Sequence, residues 1–186
     1  MAGDSVEAGR SACGCGAEGL NAAMFRYIYE SELGTCFDRY FDYIAGLKGA
    51  IDEALYAFVA DVGRYDLRSK GSLHDAWLRR LTLTMSEIAE HPVRQNLHME
   101  LLGPYHDRVF HVYYGDVLSY SYCQQARRGS GQQDLLVHEF RLGAQGEFEH
   151  VFEFDDGLEI SIVCRSMRFE EILLEVEAET ETSPDA

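Results

Sequence analysis

The chain has 186 residues, is 46% hydrophobic and carries a formal net charge of −16. That length suits one domain with a substantial core. An acid excess of this size repels phosphate backbones and anionic bilayer surfaces. Nucleic-acid binding and membrane attachment are therefore disfavoured, and a basic protein partner is favoured.

Residues 1–19 are small and polar, offer little to bury, and read as a disordered tail. They contain no cationic segment followed by an apolar run, and no stretch of the chain approaches the roughly 20 apolar residues of a membrane span. The expected location is cytoplasmic. Cys13 and Cys15 form a Cys-x-Cys pair in this tail. Structural zinc asks for four ligands, and no second cysteine pair exists, so neither metal nor cofactor is expected. Cys36, Cys123 and Cys164 lie among apolar positions and read as reduced core or near-core thiols.

Residues 20–67 read as helical. Met24, Phe25, Ile28 and Tyr29 recur at helical spacing, as do Phe37, Phe41, Ile44 and Leu47, then Ile51, Leu55, Phe58, Val59 and Val62. Gly46 and Gly49 bracket a break between two helices. Asp52 and Glu53 fall in the first turn of the later one, where negative charge suits the helix dipole.

From residue 74 the period changes to two. In "WLRRLTLTM" Trp77, Leu81, Leu83 and Met85 share a face, with Arg79 as an outlier in the same register. Trp77 is expected to be buried where this strand meets the helices. The segments "LHMELL", "VFHVYY", "LSYSY", "LLVHEFRL", "FEHVFEF" and "LEISIVC" alternate likewise. Helices first and short strands afterwards predict an α+β fold, with N-terminal helices packed on an antiparallel β-meander of about seven or eight strands. The domain should span residues 20–173, with helices in 20–67 and sheet in 74–173. Residues 174–186 read as an acidic disordered tail. Residues 170–186 carry seven acidic side chains and no Lys or Arg.

Turn chemistry narrows the registers, because directly opposed residues in an antiparallel pair share a face. "DDG" between Phe154 and Leu158 predicts a three-residue loop with Gly157 in the left-handed region. A two-residue loop at Ala144-Gln145 would set His138 against Val151 and misalign the apolar faces. The registers that remain place His138 opposite His150 or Phe152, so two histidines stand in the apolar register of neighbouring strands. Glu139, Glu149 and Glu153 fall on the opposite face.

Two His-Asp pairs attract attention as chemistry. His74-Asp75 lies in "GSLHDAWL" and His106-Asp107 in "GPYHDRVF". Each stands where a loop enters a strand, where Asp accepts from backbone donors and His caps a carbonyl. If the protein were an enzyme, His74, Asp75, His106 and Asp107 would be its catalytic set, converging on a metal ion in a small hydrolase. The candidate binding positions are Trp77, Tyr105, Arg127, Arg128, His138 and His150. Arg127 and Arg128 lie in the long loop "CQQARRGSGQQ". Nucleophile-elbow, phosphate-loop and His-Glu-x-x-His signatures are missing.

A Tyr/Phe-rich helix pair, then "SLHDAWL", then "LLGPYHDRVFHVYYGDV" and a long meander resembles small uncharacterised bacterial proteins. Some similar proteins are immunity partners of polymorphic toxins. The resemblance spans roughly residues 36–165 and implies no catalytic residues. The expectation is thus a non-catalytic interaction domain for a basic partner, of immunity type. The alternatives are the metal-dependent hydrolase and a small-molecule-binding sheet protein.

Overall fold

The computed structural model describes residues 24–86, 93–124 and 133–175. Both terminal tails, Cys13, Cys15, Arg127 and Arg128 lie outside them. The chain is α+β with an antiparallel sheet.

The first expected helix is replaced by a small hairpin, β1 (Tyr29–Ser31) and β2 (Gly34–Cys36). Gly34 supplies the positive φ, +109°, that closes its two-residue turn. Residues 24–28 are not helical because their amides have another acceptor. The buried Glu139 carboxylate takes N–H bonds from Arg26 (3.0 Å), Tyr27 (2.8 Å) and Ile28 (2.9 Å). Tertiary bonding overrides a helical spacing of apolar residues.

Two helices follow, α1 (Asp38–Ala45) and α2 (Glu53–Val59). Gly46 caps the first, and Asp52 caps the second by accepting from Ala54 and Leu55 N–H. Tyr40 and Ile44 of α1, and Leu55, Phe58 and Val59 of α2, enter the core. Phe58 stacks on Phe169 of the sheet at 3.9 Å between ring centroids.

The main sheet contains β3 (Trp77–Ser86), β4 (Arg94–Leu102), β5 (Arg108–Gln124), β6 (Leu135–Leu142), β7 (Phe148–Phe154) and β8 (Leu158–Leu173). Its order is β3-β4-β5-β8-β7-β6. It is therefore two three-stranded meanders joined along β5 and β8 rather than one continuous meander. "VFHVYY" and "LSYSY" belong to the single strand β5, bent at Asp116 (φ +49°) and bulged between Val117 and Ser119. The bend changes what is buried along the β5/β8 ribbon. Leu158, Ile160, Ile162 and Cys164 enter the core before it, Met167 and Phe169 pack after it, and Arg165 and Ser166 between them are exposed. Beyond the bend Leu118, Tyr120 and Tyr122, which alternate with Ser119 and Ser121, are half-exposed, whereas Tyr114 before it is buried.

A second bulge, between Leu78 and Arg80, explains the Arg79 outlier. It shifts the register by one, so Leu78 and Leu81 pack on the core while Trp77 is only half-buried. Leu73 and Ala76 take the buried place expected of the tryptophan.

The edge strands meet at one corner. Asp75 N–H donates to Leu135 O (2.8 Å), Leu135 N–H to Ala76 O (2.9 Å), and Trp77 pairs with Asp134. The β6 edge is otherwise covered by α1, whose Tyr40 and Tyr43 hydroxyls accept from Phe140 N–H (3.4 Å) and Leu142 N–H (2.7 Å). The Asp155–Gly157 loop has the expected form, with Gly157 at φ +77° and its N–H bonded to Phe154 O. Among the described residues no helix is long and apolar enough to cross a membrane.

Candidate functional sites on the two faces of the sheet

The hairpin between β4 and β5 sets Leu101 opposite Phe110, Glu100 opposite His111 and His98 opposite Tyr113. Leu97, Met99, Leu101, Phe110 and Val112 fill the core face. Alternation then puts His98, Glu100, His111 and Tyr113 together on the outer face. The row continues on both sides, with Arg80 opposite Glu100 on β3, and Arg168 and Glu170 opposite Tyr113 and His111 on β8.

His98 Nε2 and His111 Nδ1 are 2.9 Å apart, and His98 Nδ1 is 3.9 Å from Glu100 Oε1. Tyr113 stacks on His98 with centroids 4.3 Å apart, and the Arg168 guanidinium covers Tyr113 from 4.1 Å. Glu100 is buried although it lies on the polar face, and Arg80 reaches it at 3.3 Å. Burial, with the neighbouring His111, lowers the pKa of His98 below the usual histidine range. A shallow cleft of about 620 Å³ opens beside these residues, lined by Thr84, Asn96, His98, Tyr113, Ser166 and Arg168 among others. None of this cluster was singled out from the sequence. The signal was present in the spacing: once "GPYHD" is the turn, Glu100 must face His111, and His98 joins them two residues along β4.

The sequence-derived His-Asp pairs are placed differently. His74 Nδ1 lies 2.7 Å from Asp75 Oδ1, while Asp75 itself takes φ +63°. His106 takes φ +55°, and its N–H bonds Gly103 O to close the turn. Asp and His tolerate this left-handed region better than most residues, so the backbone of the turn uses them. The Asp107 carboxylate goes to Arg108 (2.8 and 3.0 Å) and approaches Lys70 (3.9 Å), and Arg108 lowers its pKa. His106 packs against Trp77 at 4.2 Å, and Trp77 Nε1 donates to Asp134 at 2.6 Å. Tyr105 is exposed, with its hydroxyl 3.4 Å from Leu67 O. Among the described residues, His98, Glu100 and His111 are the one group of three or more His, Cys, Asp or Glu whose ligand atoms all lie within 4.8 Å of one another.

The second histidine pair is internal. His138 lies opposite Phe152, one of the two registers allowed by the turn, and His150 opposite Phe140. His138 Nδ1 is 3.1 Å from His150 Nε2 and 3.4 Å from the Tyr65 hydroxyl. His150 Nδ1 meets the Tyr114 hydroxyl at 3.0 Å, and Tyr65 is hydrogen-bonded to Tyr40. These polar atoms form a chain enclosed by Phe58, Phe152 and the rest of the core. Burial, assisted by the Arg64 charge, drives the His138 pKa down to about 3, and His150 is pushed well below its usual value for the same first reason. Both rings are neutral near pH 7. His138 Nε2 is buried without a hydrogen-bond partner. Whichever tautomer His138 adopts, one nitrogen is left imperfectly satisfied.

Opposite them, Glu139, Arg141 and Glu149 hold the N-terminal segment to β6. Arg141 bridges Glu139 (3.2 Å), Glu149 (2.8 Å) and Met24 O (2.9 Å). No protein-family model matches this chain, and no curated protein or solved structure matches it either.

Proposed function

We propose that this protein is a non-catalytic interaction domain for a basic protein partner, of the kind that neutralises a toxin domain. The observation that carries the reading is the net charge of −16. Such a field accelerates encounter with a cationic surface and disfavours anionic partners. The contact surface we assign to it is the outer half of β5, where Leu118, Tyr120 and Tyr122 are 51%, 46% and 47% exposed. Tyrosine supplies large contact area with few rotors to freeze, and it is enriched where interfaces concentrate their binding energy.

The test is association of the full chain with the product of the adjoining gene, followed by stopped flow. The association rate should fall tenfold or more between about 50 and 300 mM salt. Tyr120→Ala and Tyr122→Ala should each raise the Kd by about tenfold, a loss near 1.4 kcal/mol. Lack of association, or association insensitive to salt and to both substitutions, would refute the proposal.

A further inference from the structure

We infer that His98, Glu100 and His111 form a binding site for a first-row divalent metal ion of the zinc class. The inference is independent of the interaction role and rests on the outer face of β4 and β5. Two imidazoles and one carboxylate are a donor set that zinc and its neighbours accept, and a three-residue set leaves coordination positions open. The ligand atoms already lie within 4.8 Å of one another. In a tetrahedral zinc site, with bonds of about 2.0–2.2 Å, donor atoms stand roughly 3.3–3.6 Å apart. The 2.9 Å between His98 Nε2 and His111 Nδ1 needs only a small opening to admit an ion.

The scaffold holds the set in place. All three residues sit on paired strands rather than loops, and Tyr113 stacks flat on the His98 ring at an interplanar angle of 3°. Glu170, directly across from His111 on β8, pairs its carboxylate with Arg168. Without metal, the short contact joins the N–H of one ring to the lone pair of the other. On binding, that hydrogen moves to the outward nitrogen of its own ring. Both inner lone pairs then face the ion.

Two cations oppose the site. Arg80 shares the Glu100 carboxylate at 3.3 Å, and Arg168 lies over Tyr113. Both side chains are more than half exposed, so solvent and salt screen them, and Arg80 can leave Glu100 at little cost.

The experiment uses the full chain carrying Cys13→Ser and Cys15→Ser, which removes the thiol pair as a competing site. Titration with Co²⁺ alone should give a visible absorption band that saturates at a single equivalent and is displaced by Zn²⁺. His98→Ala, His111→Ala and Glu100→Gln should each weaken binding at least tenfold, with His74→Ala and His106→Ala as controls that leave it unchanged. Circular dichroism checks that every variant is folded, and His111→Gln serves if His111→Ala is not. No saturable band in the parent, or binding that survives the His98 and His111 substitutions, overturns the site. Loss on His74→Ala or His106→Ala instead would move the metal to the His-Asp pairs and overturn it equally.

Discussion

The molecule holds two cross-strand histidine pairs with nearly equal N–N separations, His138/His150 at 3.1 Å and His98/His111 at 2.9 Å. They differ in what surrounds them. The first pair is sealed between α2 and the sheet, and the second faces outward beside a cleft. Inside, protonation would place a charge in apolar surroundings, so both rings stay neutral and their polar atoms must be satisfied by other buried groups. Outside, water is available, and the same ring nitrogens are free to exchange partners. One chemical motif thus serves as core packing in one place and as a ligand set in the other.

The sharpest break between the pairs should be in stability. His150→Ala removes a buried ring and leaves the Tyr114 hydroxyl without its partner. The expected loss is roughly 3–5 kcal/mol in a urea titration, against changes within about 0.5 kcal/mol for the outer pair. A loss below about 1 kcal/mol for His150→Ala would mean that water reaches the pair.

A pH titration of stability sharpens the same contrast. Above about pH 6.5, His138 is neutral in both the folded and the unfolded chain and adds no pH dependence. As pH falls below that, the unfolded chain takes up a proton that the folded one refuses until its pKa of about 3. Stability is therefore lost on acidification, by up to about 1.4 kcal/mol per pH unit for each such ring. His138→Phe should flatten the slope between pH 6.5 and 5, above the range where most carboxylates titrate. An unchanged slope would show that His138 is protonated in the native state.

Much of this was legible in the sequence, and the parts that were not share a cause. Alternation located the strands, and the "DDG" loop and the exclusion of a two-residue turn at Ala144-Gln145 fixed the His138 register to two choices, one of which is observed. Alternation fails where one residue is inserted. The bulge after Leu78 turned Trp77 outward, and the bend at Asp116 with its following bulge left Leu118, Tyr120 and Tyr122 half-exposed. Residues 24–28 failed for another reason. Their helical spacing is real, but Glu139, more than 100 positions away, takes their amide hydrogens, and no local pattern announces that. The outer cluster could have been found by extending the Leu101–Phe110 register by one pair. Adjacent letters such as His-Asp are the weaker signal, because in a strand adjacent residues point to opposite faces and partners lie across the ladder.

Trp77 stands between the two extremes. Most of its surface is covered, its Nε1 donates to Asp134, and its ring meets His106 where the sheet edges join. Trp77→Phe keeps most of the packing and removes the donor, leaving Asp134 to solvent. The expected cost is about 1 kcal/mol, and Trp77→Ala should cost about 2 kcal/mol, less than a core aromatic. A Trp77→Ala loss above about 4 kcal/mol would place the corner inside the cooperative core with His150.

The smallest effects belong to the outer pair, and there the direction is informative. His98→Ala removes a stacked ring from Tyr113 and a hydrogen-bond partner from His111, but both of those groups can turn to water. In metal-free protein the change should stay within about 0.5 kcal/mol. Glu100→Gln tests the other side of the balance. Glu100 is buried beside Arg80 and the two imidazoles, and its pair with Arg80 is exposed at the arginine end, so the Coulombic gain is small and the desolvation of the carboxylate offsets it. Replacing it by an amide of the same shape should leave metal-free stability nearly unchanged in the same urea titration. A loss of about 2 kcal/mol or more would mean that the carboxylate is held there for the fold, as Glu139 is, and that the outer cluster is the edge of the core rather than a surface.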